Sequence, residues 1–173
     1  TKNGKVDVKG LTGKKSHTPP FIKTLFFELL DILAKVETEN GFEHAKEEIS
    51  DKISECTKRV QAKEIPLSEL AFNVMISKAP KEYVKTIPQH IRAARQLESI
   101  REIKKGEIIS YVKIINKPGV RPVELARQNE IDSSKYMEFM ENTLSQITSS
   151  MDLDFDTILG KPKQTGLDQF FWN

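Results

Sequence analysis

Lys105-Gly106-Glu107-Ile108-Ile109-Ser110-Tyr111-Val112-Lys113-Ile114-Ile115 is the stretch on which the fold class turns. It leaves a Lys-Gly turn and is rich in β-branched and aromatic residues, so it predicts a strand over residues 108–115. Most of what surrounds it carries helical spacing instead. Downstream, residues 116–119 read as a loop, and Asp132-Ser133-Ser134 caps a helix with an apolar stripe of Tyr136, Met137, Phe139, Met140, Leu144 and Ile147. Upstream, residues 80–97 hold a short helix and then a better one starting near Pro88. Pro66 opens that unit, and residues 70–76 fit either a strand or a short helix. Further upstream lie two amphipathic helices. The first follows Thr18-Pro19-Pro20, read as an N-cap with prolines in the first turn, and repeats Phe21, Ile22, Leu25, Phe26, Leu29, Leu30, Leu33 and Val36. Asn40-Gly41 is expected to break it, and the second helix carries Phe42, Ala45, Ile49, Ile53, Cys56 and Val60 on one stripe. An α+β fold, mainly helical, with an antiparallel helix pair and a small β element, is the expectation.

Near the start, Asn3-Gly4 is a hairpin turn signal, followed by the alternating Lys5-Val6-Asp7-Val8-Lys9. Only two residues precede the turn, so the second arm is expected upstream of Thr1, in a larger body. The net charge of +2 conceals three blocks. Residues 1–24 hold six lysines against one acid, residues 28–55 nine acids against three lysines, and residues 78–105 eight Lys/Arg against three acids. Such a chain can hold a phosphate backbone on one face while another stays solvated. The single Cys56 excludes an internal disulfide and reads as a structural thiol. No apolar run approaches the roughly 20 residues that span a bilayer. There is no phosphate-cradling glycine loop, and His17, His44 and His90 lack ligand spacing. Asp152, Asp154 and Asp156 alternate without the glycine and closing glutamate of a calcium loop, and read as solvated linker.

The sharpest short motif is terminal. Gln164-Thr165-Gly166-Leu167-Asp168-Gln169-Phe170-Phe171 fits the sliding-clamp-binding pattern: a glutamine, an aliphatic residue three on, and two aromatics beyond. A 3₁₀-type turn would set Leu167, Phe170 and Phe171 on one side as a plug, with Gln164 at the rim. The segment follows the linker-like Gly160-Lys161-Pro162-Lys163, and its aromatics need a partner to cover them.

Taken in order, these segments resemble the C-terminal part of archaeal family B DNA polymerases. Lys9-Gly10-Leu11 with Lys14-Lys15-Ser16-His17 is similar to the palm–thumb junction, where many relatives carry Arg-Arg-Asp in place of Lys15-Ser16-His17. Ile65-Pro66-Leu67-Ser68-Glu69-Leu70 resembles the link into the outer thumb. Pro88-Gln89-His90-Ile91 is similar to its Pro-His-Val segment, with the proline one position early. Residues 105–112 resemble the Pro-Gly-x-x-Ile-x-Tyr strand, and Arg121-Pro122-Val123-Glu124 with the helix over 131–147 resembles the closing thumb elements.

The resemblance implies three parts: a palm-edge strand and basic turn over residues 1–17, a thumb over 18–150, and a flexible tail with the clamp motif over 151–173. It implies a thumb portion, or a small subunit, of a replicative DNA-dependent DNA polymerase. Such a part would hold primer–template duplex by phosphate contacts without reading sequence. Lys9, Lys14, Lys15, Lys23, His90, Arg92 and Arg95 are the candidate DNA contacts, and Gln164, Leu167, Phe170 and Phe171 the candidate contacts to the sliding clamp (PCNA). Nucleotidyl transfer needs carboxylates holding two metal ions about 3.5–4 Å apart. By resemblance those carboxylates and their Mg2+ belong to a palm upstream, on a separate chain or the remainder of this one, so no cofactor and no activity are expected of this chain alone. An archaeal, cytoplasmic, chromosome-associated setting goes with that role. The competing expectation is a non-catalytic helical adaptor that joins the clamp to a protein partner and hardly touches DNA.

Overall fold

A computed structural model describes residues 18–160. Its helices and strands run α1 (Pro20–Ala34), α2 (Glu39–Gln61), α3 (Leu67–Leu70), β1 (Phe72–Met75), α4 (Gln89–Leu97), β2 (Ile108–Lys113), β3 (Val120–Pro122), α5 (Ser133–Ser150) and α6 (Phe155–Ile158). The candidate palm-edge strand and the clamp motif lie outside the described residues.

Helix α1 buries Phe21, Ile22, Leu25, Phe26, Leu29 and Leu30, six of the eight positions its spacing predicts; Leu33 and Val36 are half-buried, and Val36 lies past the helix end. Its N-cap is Pro19, not Thr18, and Pro20 occupies a first-turn position. The Pro19 carbonyl accepts from the N–H groups of Ile22 and Lys23, both at 3.1 Å. Proline holds the φ of a helix entry without donating a bond, so a side-chain cap is dispensable here.

Asn40-Gly41 does not separate the first two helices but lies inside the first turn of α2. The reason is Thr38, whose Oγ1 accepts from Gly41 N–H at 2.9 Å and caps α2 three residues earlier. A Cβ at Gly41 would stand 3.1 Å from that same oxygen, so glycine suits the cap rather than a break. Lys52 pairs with Glu28 at 3.8 Å, consistent with α2 running back along α1.

Residues 70–76 take the strand alternative: β1 runs Phe72–Met75, just after the short α3 ends at Leu70. The three strands form one antiparallel sheet in the order β1-β2-β3, with Phe72 opposite Tyr111 and Tyr111 opposite Pro122. Gly106 takes φ +89° in the turn that feeds β2, a conformation that disfavours any side chain. Helix α4 packs chiefly on β3 and also on β2, with Ala93 and Ala94 fully buried beside Ile91 and Leu97. Gln96 fixes that contact by donating to Val120 O at 2.9 Å.

One face of the sheet meets α5. Phe72 stacks on Tyr111 with ring centres 5.4 Å apart, on Tyr136 at 5.9 Å, and edge-on against Phe139 at 5.3 Å. The buried Tyr136 hydroxyl donates to Leu70 O at 2.8 Å and accepts from Lys113 N–H at 3.1 Å. Burial pushes its pKa far above the ordinary tyrosine range, so it stays a neutral donor. Tyr136→Phe keeps the packing and strands a carbonyl and an N–H in the interior. It is expected to destabilise the fold by about 1–3 kcal/mol, and a urea titration checks this.

Residues 151–160, assigned to a tail on sequence, continue the packed body. Met151 and Phe155 are buried, and α6 packs against α2. Of the three aspartates there, Asp152 and Asp154 are exposed and Asp156 is half-buried, while Phe155 turns inward. Among the described residues no helix is long and apolar enough to cross a membrane.

Candidate nucleic-acid interface

Two of the charge blocks, residues 28–55 and 78–105, fall on different elements of the fold. Helix α2 exposes Glu43, Glu47, Glu48, Asp51 and Glu55, a surface that repels phosphate. The cleft between α1 and α2 mixes Glu28, Glu55 and Glu69 with Lys52 and Arg59 and offers no uniformly positive cradle. Cys56 lines it; burial pushes its thiol up to about 11, so it stays protonated and unreactive near neutral pH. Among the described residues no three His, Cys, Asp or Glu side chains gather as metal ligands.

The second basic block surrounds α4. Of the candidate DNA contacts, Lys9, Lys14 and Lys15 lie outside the described residues, as do Gln164, Leu167, Phe170 and Phe171. Lys23 is half-buried on α1. His90, Arg92 and Arg95 all stand on α4, but in different states. Arg92 is exposed. His90 is half-buried, and burial holds its pKa below the ordinary histidine range, which favours a neutral ring. Arg95 points back at the preceding loop, where its guanidinium donates to Pro80 O at 3.1 Å and Tyr83 O at 2.6 Å.

That loop, residues 77–88, is built tightly for a segment between two regular elements. Pro80 is buried and opens a 3₁₀ turn, Pro80–Glu82. The Glu82 carboxylate accepts from Ala79 N–H at 2.7 Å, which closes the turn. Tyr83 and Ile87 pack against the core, and the Tyr83 hydroxyl lies 3.2 Å from Ser77 Oγ. Lys78, Lys81 and Lys85 are exposed along it. Lys78 Nζ lies 4.8 Å above the Tyr83 ring, and Val84 is 82% exposed.

A further cation, which sequence reasoning did not single out, is Lys113 at the end of β2. Its Nζ rests 5.2 Å over the Phe72 ring and donates to Gln89 Oε1 at 3.2 Å. Burial, then the ammonium of Lys135, lowers its pKa, while Glu138 and Asp132 act the other way. The alternation of β2 places residue 113 on the same face as Tyr111 and Ile109; that signal alone could have found it. Two arginines near this region are paired: Arg101 with Glu107 at 2.7 Å, and Arg121 with Glu130 at 3.0 Å.

The model of DNA polymerase family B matches residues 1–158. DNA polymerase 1 of Saccharolobus solfataricus is 37% identical over 170 residues, which cover 98% of this chain and 19% of that protein. DNA polymerase 1 of Aeropyrum pernix is 37% identical over 164 residues, 94% of this chain and 17% of that protein. This chain therefore spans less than a fifth of the length of these relatives. Among solved structures, the family B DNA polymerase from the hyperthermophilic archaeon Pyrobaculum calidifontis superposes with a TM-score of 0.60 at 17% identity, over 87% of this chain and 18% of that one.

Proposed function

This chain belongs to DNA polymerase family B, and from that premise we propose that it is the thumb portion, or a small thumb subunit, of a replicative DNA-dependent DNA polymerase. In this reading it grips primer–template duplex through phosphates, while its terminal motif tethers the enzyme to the sliding clamp. The observation that carries the grip is the division of charge: an acidic α2 surface, and a set of exposed cations around α4. A duplex grip must tolerate any sequence, and lysines aimed at phosphates meet that need. The carboxylates and Mg2+ for nucleotidyl transfer would come from a palm-containing chain or the remainder of a longer one.

Binding of labelled primer–template duplex across a salt series tests the reading. Neutralising about six phosphates predicts an affinity falling roughly 10³-fold between 50 and 200 mM salt. Addition of this chain to a palm-containing partner should restore primer extension, and Lys14→Gln with Lys15→Gln should weaken DNA binding by the reassembled enzyme. Clamp binding without any duplex binding would overturn the grip and favour the adaptor.

A further inference from the structure

We propose that the loop over residues 77–88 is a preformed tip that holds the phosphate backbone of the duplex through Lys78, Lys81 and Lys85. The proposal rests on the duplex-gripping reading above and assigns it to residues outside the original candidate set.

The loop is fixed by its own bonds before any ligand arrives. Arg95 ties two of its carbonyls to α4, Pro80 is buried, and Tyr83 and Ile87 pack on the core. A loop ordered in advance loses little entropy on binding, so its charges act at full effect. Its composition is one-sided, with three lysines against the single Glu82. That carboxylate is engaged by Ala79 N–H within the turn. None of the three lysines forms a salt bridge among the described residues. Val84, next to Lys85, is 82% exposed, so this part of the loop stands clear of the body. Arg92 follows on the adjoining first turn of α4, also exposed.

Arg95 therefore acts as a positioning residue for the lysines. Both of its bonds leave from one guanidinium nitrogen, Nη2, and go to backbone carbonyls of the loop. The lysines, as point charges on flexible stems, suit a backbone whose sequence changes as the enzyme moves.

Anisotropy of a labelled primer–template duplex, titrated with the 173-residue chain over a salt series, tests this. Lys78→Gln, Lys81→Gln and Lys85→Gln combined should lower low-salt affinity at least about tenfold and reduce the log K against log salt slope by about 2–3. Lys46→Gln with Lys58→Gln on the acidic α2 should leave the slope unchanged. An unchanged slope in the triple variant, with the parent chain still binding duplex, overturns the loop assignment and leaves the grip standing. Equal losses in both variants mean diffuse attraction and also overturn it. Polyglutamate competing as well as duplex would overturn the choice of nucleic acid as partner. Failure of the parent chain to bind duplex at low salt sinks the grip itself.

Discussion

Phe72→Ala is expected to destabilise the fold by about 3–5 kcal/mol, among the largest losses available to a single substitution here. Three rings meet Phe72: Tyr111 on the neighbouring strand, and Tyr136 and Phe139 on α5. Removing it takes away the transfer energy of the ring and leaves a cavity. The walls of that cavity are aromatic and are fixed from elsewhere, so they collapse poorly. Tyr136 is held by bonds to Leu70 and Lys113, and Tyr111 by the register of β2. For a chain of this size the loss corresponds to a fall in melting temperature of about 10 °C or more. Phe27, 43% exposed on α1, supplies the comparison: Phe27→Ala should cost well under half as much. Similar losses from the two substitutions would mean that the sheet–α5 junction is not where this fold is held. The change also removes the ring beneath Lys113, which should free its ammonium to sample solvent.

How much of this was legible depended on whether the physical cause was local. Strand β2 is central in the sheet, and its β-branched run has few other uses, so it could be read directly. The helical stripes of α1 and α5 were readable for the same reason: burial of one face imposes a period. Gly41 misled because its usual meaning is a helix stop; only the Thr38 oxygen three residues earlier makes it a first-turn residue. The segment after Ser150 gave no helical signal because one aromatic, Phe155, among acids creates no period, although Phe155 is buried at the start of α6. The state of Arg95 could not be read at all. Its partners are backbone carbonyls 12 and 15 residues away, and backbone leaves no mark in composition. Charge counting picked out a basic block, residues 78–105, but could not say which of its cations face outward and which are engaged inside it.

The second large effect concerns the terminal motif. Phe170→Ala with Phe171→Ala is expected to abolish measurable binding to the sliding clamp, the partner proposed for that motif. Each apolar prong buried in a partner is worth about 1.5–3 kcal/mol before ordering costs. Losing two of the three prongs therefore removes roughly 3–6 kcal/mol, a factor of about 10²–10⁴ in affinity. A short segment has no spare surface to offset that. Leu167 alone would remain, with Gln164 supplying a rim hydrogen bond worth about 1 kcal/mol. Calorimetry or anisotropy with purified clamp reads the loss, and a thermal melt of the same variant separates the two explanations for it. The core among residues 18–160 already closes over Met151 and Phe155 with its own side chains. An unchanged melt would therefore place the aromatics outside this chain's stability and leave the clamp as their partner. A fall comparable to that of Phe72→Ala would show that Phe170 and Phe171 serve the chain's own interior, and the tether would have to be given up while the duplex grip, which rests on other residues, would stand or fall by its own test.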